Sequence, residues 1–584
     1  MLKLCRGLKA YRRPIGVVLV LALAQSLANL YLPRLMADIV DHGIARGDTR
    51  AILVVGGWML LIALAAAACA VAGSYFAARI ATGFVRTIRS RIFAHVEHFS
   101  VHQFDRFSTS SLITRTTNDT TQVQQVLLMM LNMAVTAPMM AIGGVILALS
   151  QDTSLAWILM ATVPVVAVVF LLIMRRAIPL FQVTQSKLDK LNLVLDEGLT
   201  GVRVIRAFDR GAHEHRRFDA ANLDLTATAI AVNRLVAYLM PAMMLMLNLT
   251  SIAIVWFGSR RIDAGAMQVG AMIASLQYAM QILFAVFMVT AMFVMLPRAS
   301  ASASRINEVL EIDPDVTDPE AAVMPLQAPG VQGAHRPCGR VQFDEVTFQY
   351  PGAEEPALCG VSFTARPGEV TAIIGGTGSG RSTLAGLIPR FYDVHAGRVL
   401  VDGVDVRHMR QHDLRALIGF VPQKASLFSG TIAENIRYGR EDATDEDVRH
   451  AVTVAQASDF VDRMPDGLET PIAQGGTNLS GGQKQRLSIA RALVRRAPIY
   501  IFDDSFSALD FATDAKLRAA LRRDTAGAAV LVISQRIGTV MDADQIVVLD
   551  DGKVVGTGTH AELLAGNALY QEIVQSQTSA EDVA

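Results

Sequence analysis

The sequence predicts two domains that live in different solvents. The first is an all-α, six-helix transmembrane domain over residues 1–310; the second is an α/β domain of the P-loop type over 340–584, with a linker over 311–339 between them. Three observations carry this. Apolar residues make up 52% of the 584 and charged residues only 18%, against about 25% charged in ordinary soluble proteins. The apolar excess is confined to the first half, where Asp152 is the one ionisable side chain between Thr121 and Met174. The second half, from about Gly339, alternates short β-type runs with helical patterns and carries a glycine-rich loop.

Six apolar runs are long enough to cross a ~30 Å hydrocarbon layer: approximately 14–36, 51–78, 123–149, 155–174, 235–257 and 267–296. In lipid the backbone has no water to bond to, so each should be a helix. Basic residues set the orientation. Lys3, Arg6, Lys9, Arg12 and Arg13 precede the first run, Arg86 to Arg115 follow the second, and Arg175 to Arg217 follow the fourth. These segments should be cytoplasmic, as should both termini. The apolar run after Pro14 is too long for a signal peptide and lacks a clear small-residue cleavage site, so it should be a retained anchor.

The two long basic segments, 84–120 and 175–234, keep helical apolar spacing, as in Leu188, Leu191, Leu195, Leu199 and Val202. They should continue the membrane helices into the cytoplasm. Short helices near 101–111 and 208–217, at the two tips, mix Phe104, Phe107 and Phe208 with charge, as suits docking into a groove. The stretch 311–339 holds Pro314, Pro319, Pro325, Pro329 and Pro337 with little periodicity, which reads as a linker.

The chain carries 53 basic and 53 acidic side chains. That balance gives no support to nucleic-acid binding, which normally needs a basic excess. Four scattered cysteines (Cys5, Cys69, Cys338, Cys359) suit neither a disulfide framework nor a zinc site.

The apolar run ending at Ile374 leads into Gly375, Gly376, Thr377, Gly378, Ser379, Gly380, Arg381, Ser382 and Thr383, and a helical pattern follows. Strand, glycine-rich loop and helix are the setting a P-loop requires. Its glycines let backbone N–H groups converge on phosphate oxygens, and the helix N-terminus favours the anion. Ser382 is placed to ligate Mg²⁺. Arg381 stands where this motif has Lys; it keeps the charge, but its planar fork is not equivalent to a compact ammonium.

Downstream come Leu479-Ser480-Gly481-Gly482-Gln483, then Ile499-Tyr500-Ile501-Phe502-Asp503, then Ser507-Ala508-Leu509-Asp510. With these in order, essentially the whole chain resembles the ATP-binding cassette exporters, specifically half-transporters with one membrane domain and one nucleotide-binding domain. The resemblance implies ATP and Mg²⁺ as ligands and assigns roles. Tyr350 would stack on adenine, and Gly375 to Thr383 would wrap the phosphates. Gln423 would sense Mg²⁺ and the attacking water, and Asp503 would hold Mg²⁺ through water. Ser480, Gly481, Gly482 and Gln483 would close over ATP bound to the opposite subunit, and Asp510 would belong to the D-loop linking the two sites.

Four departures from the family pattern matter. The Glu expected after Asp503 is Asp504, one methylene shorter. The switch His is Gln535, which cannot carry positive charge. Arg381 is the third. These three fall on the side of the domain that carries the glycine loop and Asp503, the Walker side, whereas the signature (Ser480–Gln483) and D-loop are intact. In the family each ATP site joins the Walker side of one subunit to the signature of the other. A homodimer would therefore weaken both sites. The expected assembly is a heterodimer whose second half-transporter supplies intact Glu, His and Lys, similar to bacterial heterodimeric multidrug exporters with one degenerate site. The competing reading is neutral drift in a working homodimer. The fourth departure is Ala473-Gln474-Gly475-Gly476, which lacks the charged pair usual before the signature.

The resemblance places the chain in a bacterial plasma membrane, in contact with lipid. For the substrate, Asn132, Asn248, Gln277 and Gln281 are polar at membrane depth and should face a cavity or another helix. Met133, Met139, Met140, Met243, Met244 and Met246 suit either a greasy cavity or ordinary packing. No run carries a central Lys, Asp or Glu, so a hydrophobic or amphipathic substrate (drug, lipid or fatty acid) fits better than a highly charged one. Two alternatives stay open: an exporter-shaped importer of lipid or siderophore, and a non-hydrolytic ATP sensor acting on a partner.

Overall fold

The computed structural model describes residues 4, 6–323 and 338–581; Lys3, Cys5 and the expected linker residues 324–337 lie outside them. Contacts divide the chain into two compact units, Met1–Glu97 with Thr109–Ile312, and His98–Ser108 with Asp313–Ala584.

Among the described residues of the first unit, six helical stretches are long and apolar enough to cross a membrane. They are built from Arg12–Asp38, Thr49–Val96, Thr120–Met133 with Thr136–Gln151, Thr153–Thr200, Gly211–Ala237 with Leu239–Asp263, and Val269–Leu310. Five of the expected spans fall within these stretches, and the sixth, expected from 267, begins at Val269. The second and fourth are 48 residues long, roughly 70 Å at 1.5 Å per residue, so helix does continue far past the apolar runs. Leu30, Leu155, Leu159, Ile254, Tyr278 and Ile282 form the interior, with the Tyr278 hydroxyl donating to the Leu30 carbonyl at 3.1 Å. Large apolar side chains such as Trp157 (67% exposed) and Trp256 face outward, as a lipid-facing surface requires.

Carboxylates finish the short-loop ends. Asp152 accepts from the backbone N–H groups of Ser154 and Leu155 at 2.8 and 3.1 Å, capping the helix Thr153–Thr200, and pairs with Arg261 at 3.0 Å. Asp41 accepts from the Gly270 N–H at 2.6 Å. A Cβ at Gly270 would lie 2.4 Å from the Ala37 carbonyl, so only glycine permits that approach. On the other side, Arg115 pairs with Glu308 at 2.8 Å, and the Arg305 Nε donates at 2.7 Å to the fully buried Asp119.

The polar membrane residues divide. Gln281 donates to the Asn29 carbonyl at 3.2 Å while its Oε1 is buried with no partner; Gln277 and Asn132 are half-buried and Asn248 is exposed. Met243 and Met246 pack against Val166, Phe170 and Leu239 around a small void, which favours packing as their role. A groove of about 470 Å³ between Leu239–Asp263 and Val269–Leu310 is lined by Ser251, Val255, Trp256, Ser259, Leu276 and Met280.

The two tip elements differ from expectation in detail. The first is the helix Val101–Phe107, opened by a reciprocal cap between Ser100 and Gln103. It belongs to the second unit, where Ser100 donates to Asp315 at 3.0 Å and Gln103 to the Asp313 carbonyl at 2.8 Å. The second was expected over 208–217, but the short helix is Val202–Ala207. Asp209 then turns at φ 50° and the long helix restarts at Gly211. An Asp tolerates this left-handed turn, and that breaks the helix just where the aromatic and charged residues had suggested one.

The second unit is α/β. A six-stranded sheet runs Lys553–Gly558, Gln545–Asp550, Val370–Gly375, Ala529–Ile533, Ile499–Asp503, Ile418–Val421, parallel except for its first edge strand. The inner strands are buried on both faces, as the unbroken apolar runs IYIFD and AVLVI require. A four-stranded antiparallel sheet runs Leu358–Ala365, Val341–Phe348, Ala396–Val401, Val404–Asp405. Phe343, Phe348, Leu384, Val399, Ile501 and Leu531 join the two sheets in one core.

Candidate functional site

Parallel strands deliver their carboxyl ends to one edge of the sheet, and ligands in such folds bind there. Val370–Gly375 leads into the glycine loop, and its neighbour Ala529–Ile533 leads into Ser534 and Gln535. Ile499–Asp503 ends in Asp503 and Asp504, and Ile418–Val421 is followed by Gln423. Sheet register sets Ile533 opposite Asp503 and Ile373 opposite Ile533. Segments from 30 (Asp503 and Ile533) to 160 residues (Ile373 and Ile533) apart in sequence are thereby held side by side.

Three of the loop glycines, Gly375, Gly378 and Gly380, cannot readily be exchanged for larger residues. A Cβ at Gly375 would sit 2.2 Å from the Leu549 carbonyl and 2.7 Å from Ser379 Oγ. Gly378 and Gly380 adopt φ of 85° and 92°, the left-handed region that glycine enters freely. Gly376 and Thr377 are exposed at the loop's crest. Ser379 is buried, and its hydroxyl has no protein partner, so a group that bonds it is called for. A phosphate oxygen meets that need, and the backbone cradle fits one.

Ser382 Oγ donates to Asp503 Oδ1 at 3.1 Å. A hydroxyl and a carboxylate converging this way are the oxygen ligands a hard divalent cation takes. Burial pushes the Asp503 carboxyl up, Ser382 and Arg381 pull it down, and the Asp504 charge adds to the rise. Bound Mg²⁺ would offset that burden.

Arg381 is buried and donates from Nη1 to the Ser534 carbonyl at 3.3 Å. Burial pushes its guanidinium down, while Asp504 and then Asp503 pull it back up. Asp504 sits at φ 45°, where a short polar side chain is favoured over a longer one. The shorter residue therefore also eases its own backbone. Its Oδ2 lies 3.5 Å from Gln423 Nε2, the outer limit of a hydrogen bond. The structure thus brings together two of the substituted residues, Arg381 and Asp504, and the segment that holds the third, Gln535.

Tyr350 follows the strand Val341–Phe348. Its ring meets Phe348 and Tyr392 edge-on at 4.9 and 5.5 Å, and its hydroxyl shares a 2.9 Å hydrogen bond with Thr383 Oγ1. The aromatic expected at the adenine is tied to the last residue of the glycine loop.

The signature residues stand at the start of the helix Gly481–Leu493. Ser480 caps it reciprocally with Gln483: the Ser480 hydroxyl accepts at 3.3 Å, and the Gln483 side chain accepts from the Ser480 N–H at 2.8 Å. Asp510 caps Phe511–Asp524 through Thr513 at 2.9 Å, and that bond holds its carboxyl down. A Cβ at Gly482 would lie 3.1 Å from the Ala508 carbonyl, so signature and D-loop pack closely within the chain. Lys484 donates to the Gly475 carbonyl at 3.0 Å, steadying the segment that lacks the charged pair.

Sequence reasoning missed two residues beside the switch position. Arg536 donates from Nη2 to the Ser507 carbonyl at 2.8 Å and from Nη1 to that of Leu509 at 3.4 Å. Gln577, in the helix Ala568–Glu581, donates to the Gln535 carbonyl at 2.7 Å and accepts from the Ile537 N–H at 2.8 Å. Neither lies in a recognisable motif, and no local spacing marks them.

Comparisons agree with this architecture. The ABC transporter transmembrane region matches residues 15–286, and the ABC transporter domain matches 358–507. An uncharacterized ABC transporter ATP-binding protein of Mycobacterium tuberculosis is 46% identical over 98% of this chain and 97% of its own length. An ATP-dependent lipid A-core flippase of Chromobacterium violaceum is 31% identical over 97% of each. The solved structure of a bacterial Atm1-family ABC exporter with ATP bound covers 98% of both chains at 25% identity, with a TM-score of 0.79. The chain belongs to the ABC transporters as an exporter-type half-transporter, a multi-pass inner-membrane protein whose ATP-hydrolysing nucleotide-binding domain is cytoplasmic.

Proposed function

We propose that this chain is one half of a heterodimeric exporter that moves a hydrophobic or amphipathic molecule, lipid in class, across the bacterial plasma membrane. Residues 1–310 would form its membrane domain, 311–339 its linker and 340–584 its cassette. Its Walker side would form a degenerate ATP site, and its signature would complete the competent site of a partner that carries Glu, His and Lys.

The observation that carries the reading is the clustering of the departures. Arg381 reaches the Ser534 carbonyl, next to Gln535, and its charge is felt by Asp503 and beside Asp504. Drift scattered over a domain has no reason to converge on one cradle. A shortened carboxylate, an uncharged switch and a forked cation would all act on the same bound phosphate. The lipid class rests on the apolar spans, the absence of a central charge in them, and the name of the flippase relative.

Within the cradle, Gly375 to Thr383 would hold the phosphates, with Ser379 Oγ supplied a partner. Tyr350 would release Thr383 and turn to the adenine. Ser382, Asp503 and Gln423 would hold Mg²⁺, which supplies neutralisation of phosphate charge. Asp504 would place a carboxylate over an ångström short of the attacking water, an error that can cost about 10²-fold in rate. Ser480 to Gln483 and Asp510 would act at the other site. ATP binding would close the two cassettes and reorient the membrane domain.

The test is Mg-ATPase of the chain purified alone. The reading expects ATP binding with little turnover, and strong turnover only when the partner is present. Robust activity of the lone chain, abolished by Asp504→Asn, overturns it.

A further inference from the structure

The switch segment is gripped from two sides by groups that no motif includes. On one side the Arg536 guanidinium forks onto the carbonyls of Ser507 and Leu509 and stands 5.8 Å over the Phe511 ring. It thus holds the D-loop at alternate residues, with an aromatic face as backing. On the other side the single amide of Gln577 bonds the Gln535 carbonyl and the Ile537 N–H. These are the backbone groups on either side of Arg536. The Arg536 N–H itself donates to Ser534 Oγ at 3.0 Å.

The contacts continue in both directions. Toward the glycine loop, the Ser534 carbonyl accepts from Arg381. Toward the signature, the Ala508 carbonyl sits where a Cβ at Gly482 would be only 3.1 Å away. Ser507 Oγ donates back to the Asp504 carbonyl at 2.9 Å, so the D-loop is also fastened to the strand end that carries Asp503. An unbroken set of hydrogen bonds and close packing therefore joins the Walker side of the chain to its signature side.

We propose that Arg536 is a positioning residue that makes the switch segment and the D-loop move as one piece, with Gln577 as the brace that keeps the segment from yielding. This deepens the two-site reading above and rests on it, since Walker and signature sides serve different ATP sites there. The chemistry suits the task. A guanidinium presents rigidly spaced donors, so it fixes the direction of the carbonyls it holds as well as their distance. Backbone pinned at 535 and 537 cannot absorb a displacement by local rotation, so a shift at Ser534 or Gln535 is passed to residues 507–509. The side chain at 535 is exposed and makes none of these bonds itself, so the linkage survives the loss of His there.

The experiment uses the assembled transporter. Steady-state kcat and KM for ATP are measured together with photolabelling of this chain by an azido-ATP probe, for Arg536→Ala, Arg536→Lys and Gln577→Leu. Arg536→Ala should lower kcat by about 3- to 30-fold, the range that coupling residues show, with KM and labelling unchanged within a factor of two. Arg536→Lys should recover part of the loss, because one ammonium can hold one carbonyl but not both. Gln577→Leu should fall in the same direction by less. An unchanged kcat in Arg536→Ala overturns the proposal, as does loss of kcat in step with labelling, which marks a merely structural role. Should Arg536→Ala fail to assemble, Arg536→Lys and Gln577→Leu decide on the same readouts. If the transporter proves to be two copies of this chain, the heterodimer reading fails while these arms still report on Arg536. An unchanged kcat removes Arg536 and leaves the pairing intact.

Discussion

The Walker side and the signature side of the cassette are built by opposite means. Walker-side groups find their partners across long stretches of chain: Ser382 with Asp503, Arg381 with Ser534, Gln423 with Asp504, Tyr350 with Thr383. Signature-side groups find theirs within one turn, Ser480 with Gln483 and Asp510 with Thr513. A site assembled from four strand ends depends on the register of the sheet, and each substitution in it is felt by the others. A site made of two helix caps takes its local shape from its own residues, although Arg536 and Ser507 tie its position to the switch segment and to Asp504. That contrast explains how the Walker side can drift from the family pattern while the signature and D-loop motifs themselves are kept.

The contrast is broken most severely at Gly375. Gly375→Ala would drive a Cβ into the Leu549 carbonyl, backbone that cannot step aside. Nucleotide binding measured by calorimetry should fall below detection, while the caps of Gly481–Leu493 and Phe511–Asp524 persist in hydrogen exchange.

Restoring the family residues sharpens the comparison instead. Asp504→Glu with Gln535→His should raise hydrolysis at this chain's own Walker site by about 10- to 100-fold, the scale of a one-ångström placement error. Single-turnover release of phosphate in the assembled transporter checks it. Asp504→Glu alone should give less, because the longer side chain enters a left-handed backbone position.

On the signature side, Ser480→Ala removes a helix cap. It should lower cassette stability by about 1 kcal/mol, read as a drop in the denaturation midpoint, with ATP binding at this chain's Walker side unaltered.

The smallest effect is one of pH. Burial raises the folded Asp503 carboxyl above its unfolded value, so the folded state holds its proton more tightly. Stability is therefore lost as pH rises from near 3.9 through the folded value. Asp503→Asn should melt slightly higher than the parent at pH 7.5 without Mg²⁺, and that advantage should vanish toward pH 4. An advantage that persists at low pH would contradict the assignment.

The legibility of the sequence follows the same division. The capping pattern Ser480-x-x-Gln483, the apolar strand closing on Asp503 and the glycine spacing from Gly375 to Gly380 are local, so they can be read directly. The spans are equally plain, because about 20 apolar residues leave few alternatives to a membrane helix. Pairings set by sheet register are not local, and nothing in the sequence says that Arg381 meets Ser534 or that Tyr350 meets Thr383. Arg536 and Gln577 were invisible for the same reason: each acts through backbone atoms of a distant segment, which leave no mark in side-chain identity. The short helix at Val202–Ala207 was misplaced because Asp209 turns the chain in a conformation that aromatic and charged spacing does not encode.

Vanadate trapping of the assembled transporter with a photoreactive ATP probe tests the central claim most directly, since it reports which chain's Walker side holds the trapped diphosphate. The account predicts diphosphate on the partner and unhydrolysed triphosphate on this chain. Equal trapping of diphosphate on both would contradict it.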